Sequence, residues 1–196
     1  MSSAFKATSV TEAGEPDGFT PPLLYSPQVG PDGTTRLVVS APGSDLPRIH
    51  RLLVKSLEAP LGVLWVQLVD RASGQRQEDD PRRWLTLEQQ ADDVLSAVDR
   101  SPHLLYGDAR GQLWIRGALG EQLILDELGM VYLYPDDPAF RTVLESAGVD
   151  PSSAPTMADR DYVRVEFDAA ADPEEQALLQ DLSMQPVAAT DNLVDA

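Results

Sequence analysis

HLLYGDARGQLWIRGALGEQLILDELGMVYLY, residues 103–134, decides the architecture. Four short apolar runs, residues 103–106, 112–116, 122–126 and 131–134, are separated by GDARG, GALG and ELG. Each separator holds a glycine, which takes a positive φ without steric cost, so the chain can reverse there and pair its flanks antiparallel. The spacing predicts a four-stranded meander. Leu113 and Ile115 fall on one side of the second run, opposite Gln112, Trp114 and Arg116; Leu123 and Leu125 oppose Gln122, Ile124 and Asp126 in the third. Val131 and Leu133 oppose Tyr132 and Tyr134 in the fourth. Neither side is wholly polar, so one face is expected against helices and the other partly covered by a terminal segment or a partner.

Upstream, residues 23–25 and 36–40 read as strands around Gly30, Pro31, Asp32 and Gly33, which suggests a hairpin. A helix is predicted over 46–58, started near Asp45 with Pro47 in its first turn and stopped by Pro60. Leu46, Ile49, Leu52, Leu53 and Leu57 share its inner side, while Arg48, Arg51 and Lys55 form the one basic face of the chain. LGVLWVQLV, residues 61–69, is apolar on both parities, as a strand covered on both faces should be. Residues 70–81 read as a solvated loop. A second helix is expected from Thr86, with Gln89 completing a capping box and Leu87, Ala91, Val94, Leu95 and Val98 as its stripe.

Downstream, Asp136, Asp137 and Pro138 open a third helix with Phe140, Val143, Leu144 and Ala147 inward and Gly148 as its stop. YVRVEF, residues 162–167, alternates as an edge strand with Val163, Val165 and Phe167 on one side. Asp172, Pro173, Glu174 and Glu175 open a fourth helix that buries Leu178, Leu179 and Leu182. The fold class expected is α+β, a mostly antiparallel sheet with about four helices packed mainly on one face. Residues 1–20 read as a flexible tail, 21–182 as a single domain, and 183–196 as a flexible acidic tail.

The charge narrows the function. Against 15 basic residues stand 32 acidic ones, a formal net charge of −17, which repels phosphate backbones and anionic lipid surfaces. Nucleic acid and membrane are therefore not expected as partners; a basic protein is. The absence of cysteine removes disulfides, thiolate metal sites and a Cys nucleophile. No stretch has signal-peptide or membrane-spanning length, so the chain is read as cytoplasmic.

Neither GxGxxG nor GxxxxGK[ST] nor GxSxG occurs. His50 and His103 are the only histidines, too few without cysteine for an ordinary zinc site. The adjacent carboxylates Asp79-Asp80, Asp92-Asp93, Asp126-Glu127 and Asp136-Asp137 point in different directions on any helix or strand and read as solvated or capping groups. No catalytic residue, metal ligand or cofactor is assigned.

The first reading is a non-enzymatic acidic binding module of the immunity-protein, inhibitor or adaptor type, engaging a basic partner protein. Its contact residues are expected to be Glu78, Asp79, Asp80, Trp114, Tyr132, Tyr134, Asp136, Asp137, Glu174 and Glu175: acids for steering, aromatics for contact energy. A carboxylate-based enzyme using a divalent cation is the alternative, and a DNA mimic comes third.

Overall fold

A computed structural model describes residues 5–30, 33–77, 80–165 and 168–188. The elements, in chain order, are β1 (Ala7–Ser9), β2 (Leu24–Val29), β3 (Thr35–Ser40), α1 (Leu46–Lys55), β4 (Leu61–Gln67), β5 (Arg82–Gln89), α2 (Ala91–Asp99), a π-helical turn (His103–Gly107), β6 (Gly111–Arg116), β7 (Gln122–Leu125), β8 (Val131–Tyr134), α3 (Pro138–Ser146), β9 (Asp150–Pro151), a 3₁₀ turn (Met157–Asp159), β10 (Tyr162–Arg164), α4 (Ala171–Asp181) and β11 (Gln185–Val187). Nine strands form one sheet in the order β11-β5-β4-β6-β7-β8-β3-β2-β9, and β1 pairs with β10 in a separate ribbon. Every pairing is antiparallel except β2 with β9, so the fold is α+β on a mostly antiparallel sheet.

The pleat divides the sheet as the alternation predicts. Val63, Ile115, Leu123, Leu133 and Leu37 are successive cross-strand partners, and Trp65, Leu113, Leu125, Val131 and Val39 make a second such row. All ten are buried in the main core together with the inner sides of α1, α2, α3 and α4. β4 lies between β5 and β6, and its near-continuous burial explains why its sequence is apolar on both parities. The β2–β3 hairpin forms, and Asp137 Oδ1 caps α3 by accepting from Ala139 N at 2.7 Å. α1 starts at Leu46 without a side-chain cap from Asp45.

Four expectations are corrected. Residues 103–106 are no strand: Leu104 and Leu105 are both fully buried, which a strand with one covered face cannot achieve for neighbours, and the segment coils into the π-helical turn. The meander therefore has three strands, β6 to β8. Residues 82–89 are a strand rather than the start of a helix; Trp84 opposes Trp65 and Thr86 opposes Val63, and long-range pairing overrides the local capping pattern. A bulge at Leu87 and Glu88, with Glu88 at φ 61°, interrupts β5 just before its last paired residue, Gln89, and α2 begins at Ala91.

The third correction concerns the N-terminal arm. Lys6 is fully buried and donates from Nζ to Asp126 O at 2.9 Å and Gly111 O at 3.2 Å, and β1 pairs with β10. Phe5, Ala7 and Phe19 pack with Val38, Leu128, Met130 and Met157 on the outer face of the sheet, so a terminal segment covers that half. Fourth, the segment expected as a C-terminal tail begins with an edge strand, β11, against β5. Among the described residues, no helix is long and apolar enough to cross a membrane.

Candidate interaction surface

The acids expected at the starts of the third and fourth helices are largely spent inside the chain. Asp136 accepts from Arg141 Nε at 2.8 Å, and Asp137 is the α3 cap. Glu174 Oε2 accepts from Leu104 N at 2.9 Å, which fastens α4 to the π-helical turn. Glu175 is only 7% exposed and accepts from Trp65 Nε1 at 2.7 Å and Gln67 Nε2 at 3.1 Å. Arg71 Nε lies 2.7 Å from Glu175 Oε2, off the line of a hydrogen bond, so that contact is ionic. Glu175 is thus turned away from any partner. Asp80 is exposed; Glu78 and Asp79 lie outside the described residues.

Around Glu175 the chain gathers a buried ionic cluster. Arg110 Nε donates to both oxygens of Asp108, at 3.1 and 2.9 Å, and Arg110 Nη2 reaches Asp172 Oδ1 at 3.0 Å. Arg71 also pairs with Asp172. His103 Nδ1 stands 3.1 Å from Asp168 Oδ2 at the rim. The Asp168 carboxyl is held below the usual range, first by the Ala170 N–H and then by the bond to His103. Each buried charge here has an opposite charge beside it, the arrangement that permits burial at all. The cluster clamps α4 onto the ends of β4 and β6. Among the described residues, no group of three or more His, Cys, Asp or Glu is placed to hold a metal ion.

Three buried titratable groups, His50, Asp126 and Lys6, lie outside this clamp. His50 is fully buried with Nδ1 3.0 Å from the Tyr106 hydroxyl, and burial pushes its pKa down to about 3. Asp126 Oδ1 accepts from Leu128 N and Met130 N at 2.8 Å each, yet burial, seconded by Glu127, pushes its pKa up to about 6. Burial likewise pulls Lys6 down to about 8 against the attraction of Asp126 and Glu127.

The three expected aromatics do share a face. Trp114, Ile124, Tyr132 and Val38 are successive partners on the outer side of the sheet, and Tyr134 belongs to the next row beside Arg36. Trp114, Tyr132 and Tyr134 are each half-buried there. Arg36 lies 4.7 Å from the centre of the Tyr132 ring and donates to the Tyr134 hydroxyl at 2.9 Å. Beside it opens a cleft of about 340 Å³ walled by Ser26, Ser153, Thr156 and Asp159.

The surface the sequence reading misses is the β1–β10 ribbon above that face. Val163 is 55% exposed and its neighbour Tyr162 is 37% exposed. Phe167, assigned to the same side of that strand as Val163, lies outside the described residues. At the ribbon's end Val10 N donates to Asp161 O at 2.9 Å and Thr11 N to Glu15 O at 2.8 Å, which brings Glu12, Glu15 and Asp161 close together. Their carboxylates take no hydrogen bond or ion pair among the described residues. Asp17, in contrast, is held well below the usual range by the Phe19 N–H and by Arg160 and Ser9. The signal for this surface lay in the acids of residues 12–17, but their place beside Tyr162 depends on pairing across about 150 residues.

Compared with family models, curated proteins and solved structures, the chain matches none. The functional reading rests on its own surface.

Proposed function

We propose that this protein is a non-enzymatic acidic binding module, of the immunity-protein, inhibitor or adaptor type, that engages a basic partner protein through the β1–β10 ribbon. The carrying observation is that Glu12, Glu15 and Asp161, whose charges are not spent internally, stand at the end of a ribbon that exposes Tyr162 on one side and Val163 on the other. Apolar contact supplies affinity, and carboxylates beside it steer and orient a cationic partner. The net charge of −17 supports fast, salt-sensitive encounter with such a partner. Trp114, Tyr132 and Tyr134 on the face below extend the contact area, and Asp80 adds to the steering field.

The test is affinity capture with the native chain and with a Glu12→Lys/Glu15→Lys/Val163→Asp variant at low and high salt. Both residue types are exposed, so the variant should fold normally, within about 0.5 kcal/mol of the native chain. A basic protein retained at low salt, shed at high salt, and weakened about tenfold or more by the variant would support the reading. Retention indifferent to salt and to the substitutions would overturn it.

A further inference from the structure

The basic face of α1 is left unused by that reading, and it lies on the opposite side of the sheet from the ribbon. Arg48, Arg51 and Lys55 follow one another at i, i+3 and i+7, so they line one flank of α1 for two turns. α3 runs beside them: Arg48 Nη1 donates to Ala147 O at 3.3 Å, just past the end of α3. Between the two helices lies an open groove of about 520 Å³. Its floor is Leu52, Val143 and Ala147, each only half-buried although the rest of each helix's apolar side is covered.

The other wall asks for nothing polar. Thr142 Oγ1 donates to Pro138 O at 3.0 Å and Ser146 Oγ to Thr142 O at 2.7 Å, so both hydroxyls are turned back onto their own helix. The cations are otherwise weakly held. Arg48 pairs with Asp45 and Arg51 with Asp99, but the side chains are 51%, 36%, 47% and 51% exposed in that order, and such pairs give way readily. Lys55 has no partner among the described residues. Three of only 15 basic residues thus stand along one rim of an apolar trough in a chain of charge −17.

We propose that this groove seats an acidic amphipathic helix of a partner protein. A third helix laid between two others buries its apolar stripe on Leu52, Val143 and Ala147, the packing that helix-in-groove recognition uses. Carboxylates flanking that stripe at helical spacing meet Arg48, Arg51 and Lys55. Overall charge works against this encounter at long range, so selectivity comes from short-range complementarity. Since the ribbon prefers a basic partner and lies on the other side of the sheet, one molecule can hold both partners, as an adaptor does.

The probe is a labelled helical peptide of about four turns with leucine at the a and d positions and glutamate at e and g, beside the same peptide with lysine for each glutamate. The acidic peptide should bind the full chain and shift the methyl resonances of Leu52 and Val143, and the lysine peptide should bind about tenfold more weakly or worse. Arg48→Glu/Lys55→Glu, both at exposed positions, should reverse the preference between the two peptides. A Leu52→Ala chain of unchanged melting temperature should weaken both. Equal affinity for the two peptides, no binding of the acidic one, or a preference untouched by charge reversal would overturn the proposal. So would Leu52 and Val143 shifts that grow with protein concentration in the absence of peptide, which would make the groove a contact with a second copy.

Discussion

Glu175→Ala is the substitution that most directly tests the clamp between α4 and the sheet. Truncation leaves the Trp65 indole N–H and the Gln67 amide, 0% and 3% exposed, without their acceptor, and strips Arg71 of its closest buried counter-charge. A buried donor left unmade costs about 1–3 kcal/mol, and removing one partner of a buried ion pair about 3–5 kcal/mol. These losses overlap because all three groups converge on one carboxylate, so the expected destabilisation is about 4 kcal/mol. That is a large fraction of the roughly 5–15 kcal/mol that holds an ordinary domain together. Glu175→Gln keeps the volume and an oxygen for Trp65 but loses the charge, and should cost about 1–3 kcal/mol. Urea unfolding followed by tryptophan fluorescence and far-ultraviolet circular dichroism reads the difference directly. With a slope near 2 kcal/mol/M, Glu175→Ala should lower the midpoint by about 2 M. A loss under about 1 kcal/mol for Glu175→Ala, or a Gln variant as damaged as the Ala one, would refute the clamp.

Because burial lowers His50 to about 3 while the unfolded chain protonates near 6.5, its contribution is whole above pH 6.5 and is lost as pH falls toward 3, at up to about 1.4 kcal/mol per pH unit. Asp126, raised to about 6, acts with the opposite sign between pH 6 and 3.8, so the measurement is the difference between native and His50→Leu stability profiles, which should slope across that window. Gly111→Ala places a methyl group into the Trp65 ring and 3.0 Å from Val66 O, and should cost about 1–3 kcal/mol in denaturant unfolding, where an unchanged midpoint would count against the packing described. Millimolar Mg²⁺, Mn²⁺ or Ca²⁺ should leave the melting temperature flat, whereas a rise that saturates with concentration would revive the cation-dependent enzyme.

How far the chain could be read in advance divides along physical lines. Parity of apolar residues placed Leu113, Ile115, Leu123, Leu125, Val131 and Leu133 on the inner face, because a strand's side chains alternate whatever its neighbours are. The same rule placed Trp114, Tyr132 and Tyr134 on the outer face. Other local signals misled: a capping pattern mimicked a helix start at residues 82–89, and an apolar run read as a strand at 103–106, where two fully buried neighbours needed a tight coil. Acids were harder. Their type announces charge but not whether an arginine waits opposite, so Glu175 and Asp80 look alike in sequence although one is sealed beneath α4 and the other faces solvent.

Taken alone, the amino-acid order determined the class of fold, the central strand β4, the β2–β3 hairpin, the cap of α3 and the one basic helix face, all of which depend on residues within a few positions of one another. Tertiary structure decided the rest: that Lys6 reaches Gly111 and Asp126, that Glu175 meets Trp65, that the arm covers half the outer face, and that Glu12 stands near Asp161. Most of those contacts join groups about a hundred residues or more apart, and their free energy comes from removing specific polar and apolar groups from water together, a condition that no local pattern encodes.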